Sequence, residues 1–399
     1  MGQIEVALGR GLGLSELAPR AVQSEIRAMT QECDRMGGVN LAQGVCDTEV
    51  PAVVAEGAIR AIRDGLNIYT RMDGIPRLRR AIADKVARTL GIAVDPEREV
   101  FVTSGVTGAF QAAVMALLNP GDEVLLFEPF YGYHANTLRS VRVAAVPVAM
   151  TAPAWGLDLS AVRAAITPKT RGMVINTPSN PAGKVFTRKE LEGLAAIAEE
   201  FDLFVFTDEI YEHFIYGGAG AGEGHVSFAA LPGMRERTIL MSGFSKTFSV
   251  TGWRVGYLIA DAKWLGSIGY FHDLTYVCAP APLQQGCADG VEKLGADFYQ
   301  GLAREHELKR TMIVDALRDA RMEPHVPDGA YYVLASAKNL PGATAAEKAR
   351  ALLAKTGVAS VAGSAFFRPG KGEDLLRFCF AKKDKDLAEA CRRLRALGA

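Results

Sequence analysis

Lys246 stands in the string Ser242-Gly-Phe-Ser-Lys246-Thr-Phe-Ser-Val-Thr-Gly-Trp-Arg254-Val-Gly256, after a buried-strand run and among small and aromatic residues. A lysine in such surroundings is costly unless its charge is lost or paired. A Schiff base with an aldehyde cofactor resolves that conflict and gives the amine a covalent role. A lone lysine belongs on the surface, but the residues around this one point the other way. Arg254 follows between Gly252 and Gly256, where a guanidinium suits a dianionic phosphate. Asp208 closes the apolar run Leu-Phe-Val-Phe-Thr. A carboxylate there wants a cation, and the protonated ring nitrogen of a pyridine cofactor is one; a helix N-cap or a salt bridge is the plainer use. If a helical turn starts at Asp208, Tyr211 falls on the same side, and its phenol could hydrogen-bond a ring oxygen or simply be half-buried. Asn180, in Asn176-Thr-Pro-Ser-Asn180-Pro-Ala-Gly183, reads as a turn. Ser104-Gly105-Val106-Thr107 joins a strand to a helix, and free N–H groups at a helix start bind phosphate. Phe130 or Tyr131 could stack on a planar ring or belong to the core.

Such residues need a scaffold that gathers the ends of several strands. From about residue 85 to 260, short apolar runs alternate with helical patterns. Strands are expected at 100–103, 124–127, 173–175, 203–206 and 239–241, and helices at 107–118 and 188–201. Thr187 and Glu190 fit a capping box at the start of the second helix. This alternation predicts an α/β domain with a mainly parallel sheet. Ligands of such sheets sit outside the carboxyl ends of the strands, where Ser104-Gly105, Glu128 to Tyr131, Asn176 to Asn180, Asp208 to Tyr211 and Ser242 to Lys246 fall. After about residue 285 a charged helical stretch over 297–320, a strand at 331–335, a helix, a strand at 375–380 and a last helix predict a smaller α+β domain. We expect residues 46–285 to form the large domain, and 1–45 with 286–399 the small one. Residues 217–224, rich in glycine, read as a flexible surface loop.

With 399 residues, 49% of them hydrophobic, the chain can bury two packed cores. Lys+Arg and Asp+Glu are both 45, a formal net charge of zero. Neither a nucleic-acid surface nor a polybasic membrane patch is expected, which leaves a small molecule as partner. No stretch approaches the ~18 apolar residues of a spanning helix. Met1–Ala18 contains Glu5, Arg10 and Glu16 and lacks an uninterrupted apolar core with a cleavage signal, so a cytoplasmic protein is expected. Cys33, Cys46, Cys278, Cys287, Cys379 and Cys391 form no Cys-x-x-Cys pair and read as reduced thiols. Cys46, after a Gly-rich turn, is kept as a site candidate. Trp155, Trp264 and the histidines His134, His213, His225, His272, His306 and His325 read as structural or surface residues with no metal-ligand spacing.

Taken together and in this order, these residues resemble the class I/II aminotransferases, fold type I pyridoxal-phosphate enzymes, from about Leu41 to the C-terminus. The most specific element is Gly243-Phe-Ser-Lys246-x-x-Ser249-Val-x-Gly252-x-Arg254-Val-Gly256, followed by Asn180-Pro-Ala-Gly183 and Asp208-Glu-Ile-Tyr211. The resemblance implies a large domain with a mainly parallel, seven-stranded sheet flanked by helices, and a smaller α+β domain from both chain ends. It implies that Lys246 carries pyridoxal 5′-phosphate as a Schiff base and shuttles a proton. Asp208 would pair with the pyridinium nitrogen, and Asn180 and Tyr211 would hydrogen-bond the ring oxygen. Gly105, Val106 and Thr107 would bind phosphate through the helix start, with Arg254 as counter-charge and Tyr131 stacked on the ring. Tyr69, in Tyr69-Thr-Arg-Met-Asp-Gly74, would reach the neighbouring subunit's phosphate, so that a homodimer shares its active sites. Arg377, in Leu376-Arg377-Phe-Cys-Phe, would grip the substrate α-carboxylate bidentately; without the family context it reads as an edge-strand surface arginine. Gly44 would give that substrate a backbone contact, and Tyr331 would lie near it. Two positions depart from the family pattern. Gly243 stands where many relatives carry a hydroxyl residue on the phosphate, which leaves Ser242 or Ser245 to compensate. Cys46-Asp47 follows Gly44 where Gly-x-Pro-Asp is common.

The expected reaction is reversible transfer of an amino group between an L-amino acid and a 2-oxo acid. β-Elimination, cyclisation or racemisation could start from the same carbanion. A ligand-sensing domain of a transcription regulator is the rival from another class. It is disfavoured by the lack of a basic excess and by only about 40 residues ahead of the resemblance.

Overall fold

The computed structural model describes residues 25–217 and 224–398, together with Ser15. Most of the expected glycine-rich loop lies outside the described residues. In chain order the first half comprises α1 (Glu25–Arg35), β1 (Val39–Asn40), α2 (Ala52–Arg63), α3 (Pro76–Leu90), β2 (Val100–Thr103), α4 (Gly105–Leu117), β3 (Glu123–Glu128), α5 (Gly132–Ser140), β4 (Ala144–Ala149), α6 (Leu159–Ala164), β5 (Thr170–Asn176) and α7 (Arg188–Glu200). The second half comprises β6 (Phe204–Asp208), β7 (Thr238–Gly243), β8 (Gly256–Ile259), α8 (Ala262–Tyr276), α9 (Ala281–Lys293), α10 (Ala296–Asp319), β9 (Pro324–His325), β10 (Tyr332–Ser336), α11 (Ala345–Thr356), β11 (Val358–Ala359), β12 (Val361–Ala362), β13 (Leu375–Cys379) and α12 (Asp384–Arg395).

The central sheet has seven strands in the order β2-β8-β7-β6-β5-β3-β4. β8 runs against β2 and β7, and every other neighbouring pair is parallel. β6 and β7 are apolar runs whose side chains are almost all buried, as strands covered by helices on both faces must be. α7 begins where the capping box places it. The Glu190 amide donates to the Thr187 hydroxyl, and the Thr187 amide donates to the Glu190 carboxylate.

A second sheet, β12-β13-β10-β9, is antiparallel throughout. Its core, shared with α10, α11 and α12, also takes in Leu41, Ala42 and Cys46, and Ile210, Tyr211 and Phe214 from the loop after β6. β1 pairs with β11 in parallel, Val39 opposite Val358, so the segment ahead of α2 is tied to the C-terminal part of the chain. Residue 286 falls inside α9, which packs against α2 and α3.

The loop after β6 is pinned from below. Lys85 of α3 donates to Glu212 at 2.5 Å and to the Tyr257 hydroxyl at 3.0 Å, and Ser242 donates to the same carboxylate at 2.7 Å. Burial works against both charges. The pairing outweighs it, holding Glu212 down to about 2 and the Lys85 ammonium above its ordinary value. Lys85→Met leaves that carboxylate buried and unpaired, and is expected to cost about 3–5 kcal/mol in urea denaturation, a loss under about 1 kcal/mol contradicting this role.

Candidate active site

The carboxyl ends of β3, β5, β6 and β7 and the loop after β2 open onto a cavity of about 670 Å³. β8 is antiparallel, so its first residue, Gly256, lies opposite Thr103 at this same edge. Arg254 therefore reaches the cavity from the front of β8. Gly44, Val106, Thr107, Tyr131, Asn180, Asp208, Tyr211, Ser245, Lys246, Arg254 and Arg377 all line the cavity. Among the described residues no His, Cys, Asp and Glu cluster could hold a metal ion.

One wall is built for an anion. The first-turn amides of α4 have no carbonyl of their own helix to bond. Arg254 donates to the Thr107 hydroxyl at 2.9 Å and to the Thr251 carbonyl at 3.0 Å. Gly105 stands just behind, at φ +68°, and a Cβ there would fall on the Arg254 guanidinium. The Ser104 amide donates to Nε2 of His272 at 2.9 Å; burial brings that histidine down to about 4, so it is neutral and accepts. The missing hydroxyl at position 243 has a steric cause, since a Cβ on Gly243 would meet the Gly256 Cα at 2.8 Å. Of the two serines expected to compensate, Ser242 is engaged with Glu212, and Ser245 lines the cavity.

The opposite wall carries Asp208, the last residue of β6. Its carboxylate lies 3.1 Å from Nε2 of His134 and accepts from the Ile210 amide at 3.3 Å. His134 is thus part of the site rather than the structural or surface residue the sequence suggested. Its signal was its place one helical turn after Tyr131 at the start of α5. Tyr131 lines the cavity, stacked on Tyr133 with centroids 5.1 Å apart, whereas Phe130 packs into the core. The Tyr211 hydroxyl lies 2.9 Å from that of Tyr332.

Tyr332, at the start of β10, lines the cavity, and Tyr331 lies beside it near Lys246, whose Nζ is 5.9 Å from the Tyr331 ring centroid. The Tyr331 ring packs against Tyr211, Tyr332 and Phe214, its hydroxyl buried without a partner among the described residues. Arg377 is not an edge residue, because β13 lies between β12 and β10. It is 1% exposed, donates to Asn180 Oδ1 at 2.9 Å and the Ala42 carbonyl at 2.6 Å, and lies 4.4 Å from the Tyr332 ring centroid. Its Nε has no partner among the described residues. Tyr69 is 79% exposed and does not line the cavity of its own chain.

Lys246 sits between these walls. Its Nζ donates to the Gly44 carbonyl at 3.1 Å, and no salt bridge to it is seen among the described residues. A Cβ on Gly44 would strike the Tyr332 hydroxyl, so glycine lets this loop come close. Burial brings the Lys246 ammonium down to about 8. Negative charge on Asp208, or on the Cys379 and Cys46 sulfurs where they ionise, opposes this, and Arg254 adds to it. A good part of this lysine is therefore free amine at mildly alkaline pH. An amine without a carboxylate partner, an anion cradle and a histidine-backed carboxylate form one donor set. It fits a phosphorylated pyridine aldehyde.

The sheet and its helices are those of an α/β enzyme of the fold type I class. Residues 37–394 match the family aminotransferase class I and II, and the chain belongs to that family. It moves an amino group between amino and 2-oxo acids. The chain is 35% identical to a probable N-succinyldiaminopimelate aminotransferase of Mycobacterium tuberculosis, over 96% of this chain and 98% of that one. It is 32% identical to a methionine aminotransferase of Escherichia coli, over 90% and 92% of the two chains. The solved structure of the Mycobacterium tuberculosis N-succinyldiaminopimelate aminotransferase superposes with a TM-score of 0.92, at 35% identity, covering 97% of this chain and all of that one.

Proposed function

We propose that the protein works with pyridoxal 5′-phosphate held covalently on Lys246, and that it transfers the amino group of an L-amino acid to a 2-oxo acid at sites shared across a homodimer. The observation that carries this reading is the Lys246 amine, hydrogen-bonded among the described residues to one carbonyl and to no carboxylate, in a cavity walled by Asp208 on one side and by Arg254 with the α4 start on the other. The α4 amides, Ser245 and Arg254 would hold the phosphate. Asn180 and Tyr211 would hold the ring oxygen, and Tyr131 would lie against the ring. The bound cofactor supplies an aldehyde for the amino group and a ring that takes up the electron pair left by the α-proton. Asp208, oriented by His134, would supply the negative charge that keeps a ring nitrogen protonated. Lys246, with no carboxylate partner among the described residues, would take up and give back the substrate's α-proton at Nζ, which its lowered affinity for protons allows near pH 8. Arg377 turns a planar fork toward the α-carboxylate, and Asn180 and the Ala42 carbonyl fix its orientation.

Tyr69 and Ile68 are highly exposed on the loop after α2, which suits a loop that completes a second subunit's site. Among the described residues no helix is long and apolar enough to cross a membrane. The six cysteines are free, and that suits the reducing cytoplasm.

A panel of amino acids, each scored for loss of the cofactor's visible absorbance in a single half-reaction, tests the reading. Recovery of absorbance on adding a 2-oxo acid supports transamination; release of pyruvate and ammonia without an acceptor points to a lyase instead. Arg377→Lys keeps the charge and loses the fork. It is expected to lower kcat/KM for the best amino acid by about 10–100-fold, the worth of one charged hydrogen bond. An unchanged kcat/KM would remove Arg377 from the substrate's carboxylate.

A further inference from the structure

Cys46 lies two residues after Gly44, at the position where the sequence leaves the family pattern. It is 2% exposed. Its Sγ lies 3.1 Å from the Thr48 hydroxyl, 3.3 Å from that of Ser249 and 4.0 Å from Nε2 of His306. The two hydroxyls are themselves 2.6 Å apart. Nδ1 of His306 lies 2.9 Å from the Leu302 carbonyl, which can only accept, so Nδ1 keeps its proton. In the neutral ring, Nε2 is then the bare nitrogen that faces the thiol. The thiol proton has a base to move to, and the sulfur it leaves accepts from the Ser249 hydroxyl, to which the Thr48 hydroxyl can donate in turn.

The cluster is joined to Lys246 at both ends. The Gly44 carbonyl accepts from Nζ at 3.1 Å, and the Ser249 amide donates to the Lys246 carbonyl at 3.3 Å. We propose that Cys46 and His306 form a buried pair sharing one proton, positioning residues whose sulfur charge keeps the proton on the Lys246 nitrogen to higher pH. The step moves a proton from Sγ to Nε2 and changes no other bond. The proposal rests on the reading of Lys246 as the covalent lysine.

The other groups facing the cluster are Cys379 of β13, Tyr331 beside β10, Tyr216 from the loop after β6, and the Asp47–Lys382 ion pair at 3.7 Å. Asp208 and Arg254 face Lys246. Burial holds the Cys379 thiol above its ordinary value and both phenols well above theirs, so all three stay protonated near neutrality. At Cys46 burial also resists ionisation. His306 outweighs it, with help from Ser249 and Thr48, and brings the thiol down to about 7.

The test is a pair of pH titrations on the holoenzyme, one of thiolate absorbance and one of the visible absorbance that reports on the Lys246 nitrogen. Wild type should show a thiolate titrating at about 7 that vanishes in Cys46→Ser and moves upward in His306→Gln. Both variants should lower the midpoint of the visible absorbance, Cys46→Ser by about one pH unit. A thiol titrating only in the ordinary range near pH ~8.5, or a midpoint unmoved in both variants, overturns the proposal. Should Cys46→Ser not fold, His306→Gln alone decides, because it leaves the thiol in place. Reductive labelling separates the two claims. A label absent from Lys246 brings down the proposed function itself, whereas a labelled Lys246 with an unmoved midpoint brings down only the pair.

Discussion

Lys246→Ala is expected to lower kcat by at least about 10⁴-fold while leaving the fold in place. Little structural depends on this side chain: among the described residues its ammonium has one hydrogen bond, to the Gly44 carbonyl, and two distant ring contacts, and the strand before it is held by its own ladder. Two functions go with it, the covalent hold and the amine that moves the α-proton. No neighbour can take over. Ser245 is not basic, and the Tyr211 phenol is pushed well above its ordinary value by burial and by the phenol of Tyr332 beside it. Lys246→Arg sharpens the prediction, since it restores a cation but not a nucleophile and should be as inactive as the alanine variant. Steady turnover at the wild-type rate in either variant removes Lys246 from the chemistry.

Asp208→Asn is expected to reduce kcat by about 10²–10³-fold, the cost of losing one charge aimed at the reacting system. The substitution is close to isosteric, and the backbone at 208 is fixed by β6 between β5 and β7. What changes is the charge. His134 keeps a hydrogen-bonding partner but no longer faces an anion, and nothing remains to hold a ring nitrogen protonated. Half-reaction rates by stopped flow, with cofactor content measured alongside, separate this electronic effect from loss of binding. A half-reaction within about threefold of wild type at full cofactor content would assign Asp208 a merely structural role, well outside the range expected for such a charge.

Asp208 and Lys246 are legible in the sequence because β6 and β7 are buried on both faces, and a doubly buried strand reads as an unbroken apolar run ending in a polar residue. β4 and β8 are not legible. β4, Ala-Ala-Val-Pro-Val-Ala, is an edge strand with partly exposed side chains, and its proline argues against a strand in any one-dimensional reading. β8 is four residues long, and its antiparallel course depends on neighbours far away in sequence. The same limit hides Tyr332, which lines the cavity beside Tyr331, because its place depends on the pairing of β10 with β13, Tyr332 opposite Cys379. Arg377 reads as an edge residue because the strand that covers it, β12, has two residues and no pattern of its own. His134 and His306 were hidden for a different reason. Each takes its meaning from a partner 74 or 260 positions away, Asp208 for the first and Cys46 for the second.

The most direct test is to reduce the purified, pyridoxal-phosphate-loaded protein with borohydride and map the modified peptide. The protein is expected to be coloured in the visible range and bleached by the reagent, with one phosphopyridoxyl group fixed on Lys246. A protein that stays colourless after soaking in the cofactor, or a label fixed on any lysine but this one, contradicts it.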